Sequence, residues 1–487
     1  MKGRVRMQYL TRLRAVLSAT ALGLLAACAT APPPEARPFE QMSAPGVRWG
    51  AVVTTLDGRE LVSVRGEERF IPASNTKLFT AAAAFHFLSD LETPDPAHGT
   101  SLWIEQGAEG EPPSLVLKGA GDASLTDRLD CVENCLHQLA DAAVAAGITR
   151  VSDVIGDDNH LAAATWGQGW SWNNFVWYYA APVSSLSVNE NTLGLRIEPA
   201  MEGMPVEAGW LAGDDFLIVE NRAMTGPPGS DQTLRIERTP GTGVVRLTGS
   251  VPADAAARTY ALAVTDPAQT AAMRLIRLLK DRGVVVEGAA LARHEPVALA
   301  PGAFLPTEIA RLTPPALASS LRRIQQDSQN LHAELMLRRI AAARGELSPE
   351  GGQEALAALI FEAGLSPVEI ELFDGSGMSS YNRVTPRSVA AFLRWAAGQP
   401  WGDDWRATLP RAGLDGTLTR RFRGTPLEGR LLAKTGSLHG VNALSGFMEA
   451  ASGQVLIFSV FAADRPADVP SIIAAMDAEL LRIAAEN

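Results

Sequence analysis

The stretch SNTKLFTAAAAFHFL, residues 74–88, places a serine and a lysine at the start of an almost wholly apolar segment. A helix that is apolar on all sides is typical of a protein core, so we expect this helix to be buried. A spacing of three residues puts Ser74 Oγ and Lys77 Nζ on one helical face, where burial lowers the pKa of the ammonium. The neutral amine could then take the hydroxyl proton and create a nucleophile. An isolated Ser-x-x-Lys is also typical of an N-capping serine followed by a surface lysine, so other motifs must decide.

Both ends of the chain carry β-strand patterns. Residues 47–55 and 60–69 are rich in Val and Thr and flank an Asp-Gly pair, which predicts a hairpin. Near the C terminus, residues 443–450 and 454–462 read as two strands, and residues 469–485 as an amphipathic helix. We therefore expect the two ends to share one antiparallel sheet.

The middle of the chain has a different pattern. From residue 91 to residue 309, short Val- and Leu-rich runs are interrupted by Gly, Pro and Asp, which predicts one or two small β-rich domains. The pattern becomes helical again at residues 317–326 and 330–343. The sequence therefore predicts a multidomain α+β protein. Residues 46–90 and 310–487 form one domain, with an antiparallel sheet and a helical part, around a β-rich insert at 91–309.

A second candidate motif, Lys434-Thr435-Gly436, lies just before the C-terminal strands. A lysine and a threonine hydroxyl at a sheet edge suit a substrate carboxylate, and a glycine there would let a substrate backbone approach closely. The alternative interpretation is an ordinary Lys-Thr-Gly turn.

A third motif, Ser-x-Asn, occurs three times, so the motif alone decides nothing. The three copies are Ser171-Trp172-Asn173, Ser187-Val188-Asn189 and Ser328-Gln329-Asn330. Only the last copy lies between two predicted helices outside the β-rich insert. Ser328 and Asn330 are therefore the candidates.

Several longer segments accompany these motifs. They are LKGAGD at 117–122, GWSW at 169–172, YAAPVS at 179–184, DGSG at 374–377, NRVTP at 382–386 and AKTGSL at 433–438. With them the chain, over about residues 45 to 465, resembles the class C low-molecular-mass penicillin-binding proteins, which are serine D-Ala-D-Ala peptidases. The long separation of Ser74 from Ser328 is also a trait of this family, whose extra domains are inserted between the first two motifs. The resemblance implies a penicillin-recognising core of the β-lactamase and transpeptidase type.

The resemblance assigns catalytic roles that agree with the chemistry of the motifs. Ser74 would attack the carbonyl of the penultimate D-Ala, with Lys77 as its base. Ser328 would relay the proton toward the leaving amino group. Asn330 would hold both Lys77 and the substrate amide.

The resemblance also implies how the substrate is held. Lys434 and Thr435 would position the terminal carboxylate, and backbone N–H groups of Ser74 and Ser437 would form the oxyanion hole. Water would then hydrolyse the acyl-enzyme without a metal or cofactor. The expected partners are peptidoglycan stem peptides and the β-lactams that acylate Ser74 as covalent inhibitors. A carboxypeptidase and a DD-endopeptidase attack the same carbonyl of the substrate. The resemblance implies a carboxypeptidase, and we expect DD-endopeptidase activity in addition.

Two places concern the side chain of the stem peptide. Asp157-Asp158 lies where relatives carry an aspartate that can meet a substrate ammonium, so Asp157 is a substrate-binding candidate; a turn-forming Asp pair is the alternative. Met378-Ser379-Ser380 stands where relatives commonly have Leu-Ser-Arg. An arginine near the stem-peptide carboxylate is therefore missing.

The N terminus reads as an export signal. Residues 1–27 begin with basic residues and continue with a 13-residue apolar run, which predicts a signal peptide. The sequence Leu25-Ala26-Ala27-Cys28 resembles a bacterial lipobox, which implies acylation of Cys28; a chance cysteine is the alternative. Residues 28–45 are rich in proline and would form a stiff tether. Ala29 follows the cysteine at the position where an Asp would hold a lipoprotein in the inner membrane, so the resemblance implies sorting to the outer membrane. We therefore expect a periplasmic protein whose only membrane contact is a lipid anchor.

Two further cysteines, Cys131 and Cys135, fall in a segment with helical periodicity, so we expect both thiols on one helical turn. In an oxidising compartment a local disulfide is the preferred interpretation, although a regular helical pair must distort to bridge. No spacing of cysteines and histidines fits a zinc site.

Composition narrows the alternatives. The 487 residues are 46% hydrophobic and 20% charged, with a formal net charge of −11, which argues against nucleic-acid binding. A serine β-lactamase or esterase is the first alternative function, weakened because no general-base Glu for fast deacylation can be identified. A non-catalytic peptidoglycan-binding lipoprotein is the second.

Overall fold

The computed structural model describes residues 39, 46–107, 110–128, 130–161, 164–211, 213–298, 304–467, 469 and 472–487. The predicted signal peptide and Cys28 lie outside these described residues, as does most of the predicted tether. Among the helices within them, none is long and apolar enough to cross a membrane.

The secondary structure falls into three consecutive segments. The first contains β1 (Arg48–Thr55), β2 (Glu60–Val64) and α1 (Lys77–Phe87). The second contains β3 (Ser101–Glu105), β4 (Ser114–Lys118), α2 (Leu136–Ala145), β5 (Arg150–Val151), β6 (Val154–Asp157), β7 (Thr192–Glu198), β8 (Glu207–Trp210), β9 (Ile218–Asn221), β10 (Met224–Gly226), β11 (Arg235–Arg238), β12 (Val244–Thr248), β13 (Ser250–Pro252), β14 (Arg258–Ala263), α3 (Pro267–Asp281), β15 (Val285–Val286), β16 (Ala290–Arg293) and β17 (Thr307–Arg311). The third contains α4 (Leu317–Gln326), α5 (Asn330–Ala343), α6 (Pro349–Glu362), β18 (Ile370–Glu371), β19 (Arg383–Val384), α7 (Pro386–Ala397), α8 (Gly402–Ala407), β20 (Leu431–Leu438), β21 (Val441–Glu449), β22 (Val455–Ala463) and α9 (Ile473–Glu486).

The first and third segments build one five-stranded antiparallel sheet in the order β2-β1-β22-β21-β20. This confirms that both ends of the chain share a sheet. Because successive side chains of a strand point to opposite faces, Val52 packs on one face of the sheet and Ala51 on the other. One face is covered by α1 and by helices α4 to α8 of the third segment, and the other face by α9.

The apolar helix α1 lies in the centre of the larger core. Every residue from Leu78 to Ala84 is buried, and the ring of Phe79 lies 4.2 Å from that of Phe392 on α7. A 3-10 turn, Ala73–Thr76, precedes α1 and carries Ser74. The predicted buried helix is therefore confirmed, with one extra tight turn at its start.

The second segment, which we call the insert, is less purely β than the sequence indicates. Its five-stranded sheet has the order β16-β6-β4-β3-β17 and packs with α2 and α3 in one core. A separate core joins β7, β14 and the small sheet β11-β12-β9. The strand β17 continues the sheet of the insert to Arg311, slightly past residue 309.

Cys131 and Cys135 are joined by a disulfide, with their Cα atoms 5.9 Å apart. The expectation that both thiols lie on one helical turn is wrong. Helix α2 begins only at Leu136, and Cys135 is its N-cap in an extended conformation. A loop before the helix thus closes the bridge that a regular helix would have to distort to make.

Candidate active site

The candidate residues from distant parts of the chain meet in one cleft of about 1030 Å³. Its lining includes Ser74, Ser328, Asn330, Thr435 and Ser437. The cleft also borders residues of the insert, such as Tyr178 and Glu190. Of the three Ser-x-Asn copies, Ser171-Trp172-Asn173 also lies at the cleft, but only the copy at Ser328 contacts the two motif lysines.

Ser74 and Lys77 face each other at the start of α1. Lys77 Nζ lies 3.0 Å from Ser74 Oγ, which is hydrogen-bond distance. The same Nζ lies 2.5 Å from Asn330 Oδ1 and 2.5 Å from the carbonyl oxygen of Ser376. Ala73, just before the serine, has a φ of 48°. The backbone thus makes a left-handed elbow, of the strained kind that occurs at functional sites, before it enters the helix.

Lys77 is completely buried. Burial lowers its pKa to about 7, against the partly opposing fields of Asp374 and Glu334. Burial, reinforced by the field of Asp374, raises the pKa of Glu334 to about 7. Near neutral pH the amine of Lys77 therefore exists in large part without its extra proton, as a general base must.

The Ser-x-Asn motif lies where the loop after α4 meets the start of α5. Lys434 Nζ donates to Ser328 Oγ over 2.8 Å. Ser328 has a φ of 60°, so this turn is held in the left-handed region. Asn330, the first residue of α5, contacts Lys77 through its side-chain oxygen and donates from Nδ2 to the carbonyl of Tyr179 over 2.6 Å. Ser328 and Asn330 thus link the two lysines of the site.

Lys434 is a second completely buried lysine, on the strand β20. Burial and the nearby charge of Lys77 hold its pKa well below the usual range. The hydroxyl of Thr435 lies 2.8 Å from that of Thr417 at the exposed mouth of the cleft. A bound carboxylate would give Lys434 the counter-charge that the described residues around it do not supply.

Gly436 packs closely against the turn that carries Ser74. A Cβ atom at Gly436 would lie 2.7 Å from the carbonyl oxygen of Pro72 and 3.2 Å from Asn75 Nδ2. Asn75 donates from that nitrogen to the carbonyl of Lys434 over 2.9 Å. The glycine therefore lets β20 dock against the turn that carries Ser74, and its contact with a substrate backbone stays a prediction.

Asp374 is a functional residue that sequence reasoning did not assign. Its carboxylate accepts hydrogen bonds from the backbone N–H of Gly377 (3.0 Å) and Ser379 (2.7 Å), from Asn382 Nδ2 (2.7 Å) and from Trp170 Nε1 (2.9 Å). These bonds fix the loop whose carbonyl at Ser376 holds Lys77. The DGSG segment was the available signal, since a buried aspartate beside two glycines is typical of a loop built around a carboxylate.

The structure does not bring Asp157 to the cleft. Its side chain is buried at the end of β6 in the insert, with Arg293 Nη1 3.5 Å away. Burial raises the pKa of Asp157, although Arg293 opposes the shift. Met378 does line the cleft, whereas Ser380 is exposed and donates to the carbonyl of Gly169. Asp157 is therefore a structural acid of the insert in this arrangement.

Comparison with known proteins agrees with this geometry. The model of the D-Ala-D-Ala carboxypeptidase 3 (S13) family matches residues 38–482. The chain belongs to this family. The expected family and its enzyme class, serine-type D-Ala-D-Ala carboxypeptidases, are thereby confirmed.

Named relatives and solved structures extend this result. The D-alanyl-D-alanine carboxypeptidase of Actinomadura sp. (strain R39) is 34% identical over 453 residues, covering 89% of this chain and 80% of the relative. The D-alanyl-D-alanine carboxypeptidase DacB of Haemophilus influenzae is 24% identical and covers 85% of both chains. The crystal structure of penicillin binding protein 4 from the same organism matches with a TM-score of 0.78 at 22% identity, over 91% of this chain and 97% of that one. This structural match confirms the expected penicillin-recognising fold.

Within the part of the chain that the structure describes, no group of three or more His, Cys, Asp or Glu side chains could hold a metal ion. The chemistry of the cleft is instead that of hydroxyls, amines and amides. Such groups can form and break an acyl-serine without further ligands.

Proposed function

We propose that the protein is a serine D-alanyl-D-alanine carboxypeptidase that hydrolyses peptidoglycan stem peptides through an acyl-enzyme on Ser74. The observation that carries the proposal is the buried Lys77, with its Nζ 3.0 Å from Ser74 Oγ and its pKa lowered to about 7 by burial. A neutral amine at that distance can take the hydroxyl proton as the oxygen attacks.

The acylation step uses the cleft as follows. Lys77 takes the proton of Ser74 while Oγ attacks the carbonyl carbon of the penultimate D-Ala. Backbone N–H groups of Ser74 and Ser437 stabilise the tetrahedral oxyanion. The peptide bond then breaks, and the terminal D-Ala leaves as an amine that receives its proton through Ser328. Asn330 keeps Lys77 in line with both hydroxyls.

The terminal carboxylate of the substrate would lie against Lys434 and Thr435. A carboxylate bound there would oppose the burial that lowers the pKa of Lys434 and would favour the charged ammonium. Water would then attack the ester on Ser74, and the proton would return to the serine oxygen as the shortened peptide leaves. If the leaving amine belongs to the side chain of a second stem peptide, the same step cleaves a cross-link. We therefore include DD-endopeptidase activity.

Penicillins carry a carboxylate beside a strained amide, as the dipeptide carries one beside a peptide bond. The opened β-lactam stays attached to its own leaving group, so the adduct on Ser74 persists. One of the matched crystal structures, the penicillin binding protein 4 of Haemophilus influenzae, is a complex with a β-lactam. We infer that β-lactams inhibit this protein covalently.

The test is release of D-Ala from an N-acylated tripeptide ending in D-Ala-D-Ala. We expect release by the wild-type protein, none by Ser74→Ala, and none from a matched peptide ending in L-Ala-L-Ala. A folded wild-type protein that releases no D-Ala and forms no adduct with benzylpenicillin would contradict the proposal and favour the non-catalytic alternative. Rapid consumption of the penicillin without D-Ala release would favour a β-lactamase.

We also propose that the protein works in the periplasm, attached to the outer membrane through an acylated Cys28. The disulfide between Cys131 and Cys135 supports an oxidising compartment. We expect the full chain in the outer-membrane fraction and Cys28→Ser in the soluble periplasmic fraction. Recovery of both proteins in the same fraction would contradict the lipid anchor.

A further inference from the structure

The insert sends one strained turn into the active-site cleft. Asn189, Glu190 and Asn191 have φ angles of 52°, 54° and 56°, so three consecutive residues other than glycine are left-handed. Asparagine tolerates this region, but a glutamate rarely adopts it and does so only where its surroundings enforce it. The middle residue, Glu190, lines the cleft.

The two asparagines anchor this turn to the insert. Asn189 accepts from the hydroxyl of Thr126 over 2.6 Å and donates from Nδ2 to Asp127 over 2.5 Å. Asn191 is buried and donates from Nδ2 to the carbonyl of Pro182 over 2.9 Å. The side chains of Asn189 and Asn191 therefore bind to other residues of the insert, whereas the side chain of Glu190 points toward the catalytic core.

The carboxylate of Glu190 contacts three residues of the core. Arg323 Nη2 and Gln329 Nε2 both donate to it through short hydrogen bonds, one to each oxygen. His332 Nε2 lies 3.4 Å from Glu190 Oε1. Burial alone would raise the pKa of Glu190, but the neighbouring His332 and the hydrogen bond from Arg323 outweigh it and lower the pKa to about 2. The group is therefore an anion throughout the neutral range.

These partners stand on either side of Ser328. Arg323 belongs to the last turn of α4 and also pairs with Asp327 over 2.6 Å. Gln329 is the N-cap of α5, where its side-chain oxygen accepts from the backbone N–H of Leu331 over 2.9 Å. One carboxylate thus ties the end of α4 to the start of α5 across the left-handed Ser328.

We propose that Glu190 is a positioning residue that holds the loop of Ser328 in its catalytic conformation, so that the insert takes part in catalysis without touching the reacting atoms. The inference rests on the function proposed above, because Ser328 matters only if it relays the proton. A misplacement of Ser328 should slow bond breaking more than it weakens binding.

The experiment measures acylation by benzylpenicillin under single-turnover conditions, which separates the acylation rate constant at saturation from the apparent dissociation constant. For Glu190→Ala we expect the rate constant to fall by about 10- to 100-fold, as misplacement of a catalytic group does, with the dissociation constant changed less than about twofold. Glu190→Gln keeps the size and one acceptor, and we expect an intermediate loss. The matched control is Glu198→Ala, which breaks an ion pair with Arg196 on β7 within the insert, and it should match the wild type.

A cycle with Arg323→Ala tests the same contact independently. If Glu190 acts through Arg323, the fold-loss of the acylation rate constant in the double variant should be much smaller than the product of the two single fold-losses. Three results would overturn the inference. The first is a wild-type rate constant in Glu190→Gln. The second is a rate loss in the double variant equal to the product of the two single losses, and the third is a change in the dissociation constant alone. Failure of the wild-type protein itself to be acylated would instead overturn the proposed function.

Discussion

The terminal segments and the insert contribute to the cleft in different ways. Ser74, Lys77 and Lys434, whose side-chain atoms would contact the substrate or react, all come from the two ends of the chain. The insert contributes groups that hold these residues in place, such as the carbonyl of Tyr179 on Asn330. The comparison teaches that these reacting groups come from the terminal segments, whereas the insert also contributes holding groups. A change at a reacting group should therefore remove activity, and a change at a holding group should reduce it.

The largest expected effect is at the proposed base. Lys77→Met keeps the length of the side chain but removes the amine, so acylation by benzylpenicillin should fall by about 10³-fold. Removing a desolvated amine is favourable, but it leaves the buried oxygens of Asn330 and Ser376 without their donor, so the thermal midpoint should change little. The measurement is the acylation rate by stopped flow, with thermal unfolding followed by circular dichroism. If the variant is still acylated at the wild-type rate, Lys77 is not the base that activates Ser74.

The next effect is at Asp374, the holding group within the core. In Asp374→Asn, an amide N–H₂ replaces one carboxylate oxygen, and because each oxygen accepts from at least two donors, at least two of these donors would lose their acceptor. We expect the free energy of unfolding in urea to fall by about 3 kcal/mol and acylation to fall by about tenfold or more. Unchanged stability would show that the loop does not depend on this carboxylate.

A pH profile tests the state of the base without any substitution. Burial lowers the pKa of Lys77 to about 7, and only the neutral amine can accept a proton, so the acylation rate should rise about tenfold per unit below pH 7 and level off above it. Since the charge on Glu334 raises the pKa of Lys77, Glu334→Gln should move the midpoint to lower pH. A profile that is flat from pH 5 to pH 9 would contradict this role for Lys77.

A smaller effect is expected at a holding group of the insert. Trp170→Phe keeps an aromatic ring but removes the indole N–H that bonds to Asp374, together with part of the buried ring. We expect acylation to fall by a few-fold and stability by about 1–3 kcal/mol, from one hydrogen bond and the lost packing. A loss as large as that of Lys77→Met would erase the distinction between holding and reacting groups.

The smallest effect concerns the disulfide, which lies in the insert. Because only four positions separate Cys131 from Cys135, the bridge closes a short loop and should contribute about 2 kcal/mol. The double variant Cys131→Ser/Cys135→Ser should therefore unfold earlier in urea but acylate within about twofold of the wild-type rate. A large loss of acylation would mean that this loop reaches the site.

Much of the catalytic core could be predicted from the sequence because its signals are local. The spacing of Ser74 and Lys77, the apolar run after them and the alternating C-terminal strands each depend on neighbouring residues alone. The choice of Ser328 and Asn330 among three copies also followed from the helices around them. In these places, local pattern and tertiary packing agree.

The insert and its contacts with the core could not be predicted in the same way. Glu190 and Arg323 are far apart in sequence, and nothing local indicates that a left-handed turn brings them together. Asp157 was misplaced because an Asp pair shows its chemistry but not the direction in which its strand faces. The close packing of Gly436 against the turn at Pro72 is likewise not visible in the sequence. Each case depends on long-range packing.

The most direct test of the acyl-enzyme is the intact mass of the protein after incubation with benzylpenicillin, followed by peptide mapping of the adduct. We predict one penicillin per protein, attached to the peptide that contains Ser74, and no adduct in Ser74→Ala. An adduct on any other residue, or an equal adduct in Ser74→Ala, would contradict the account.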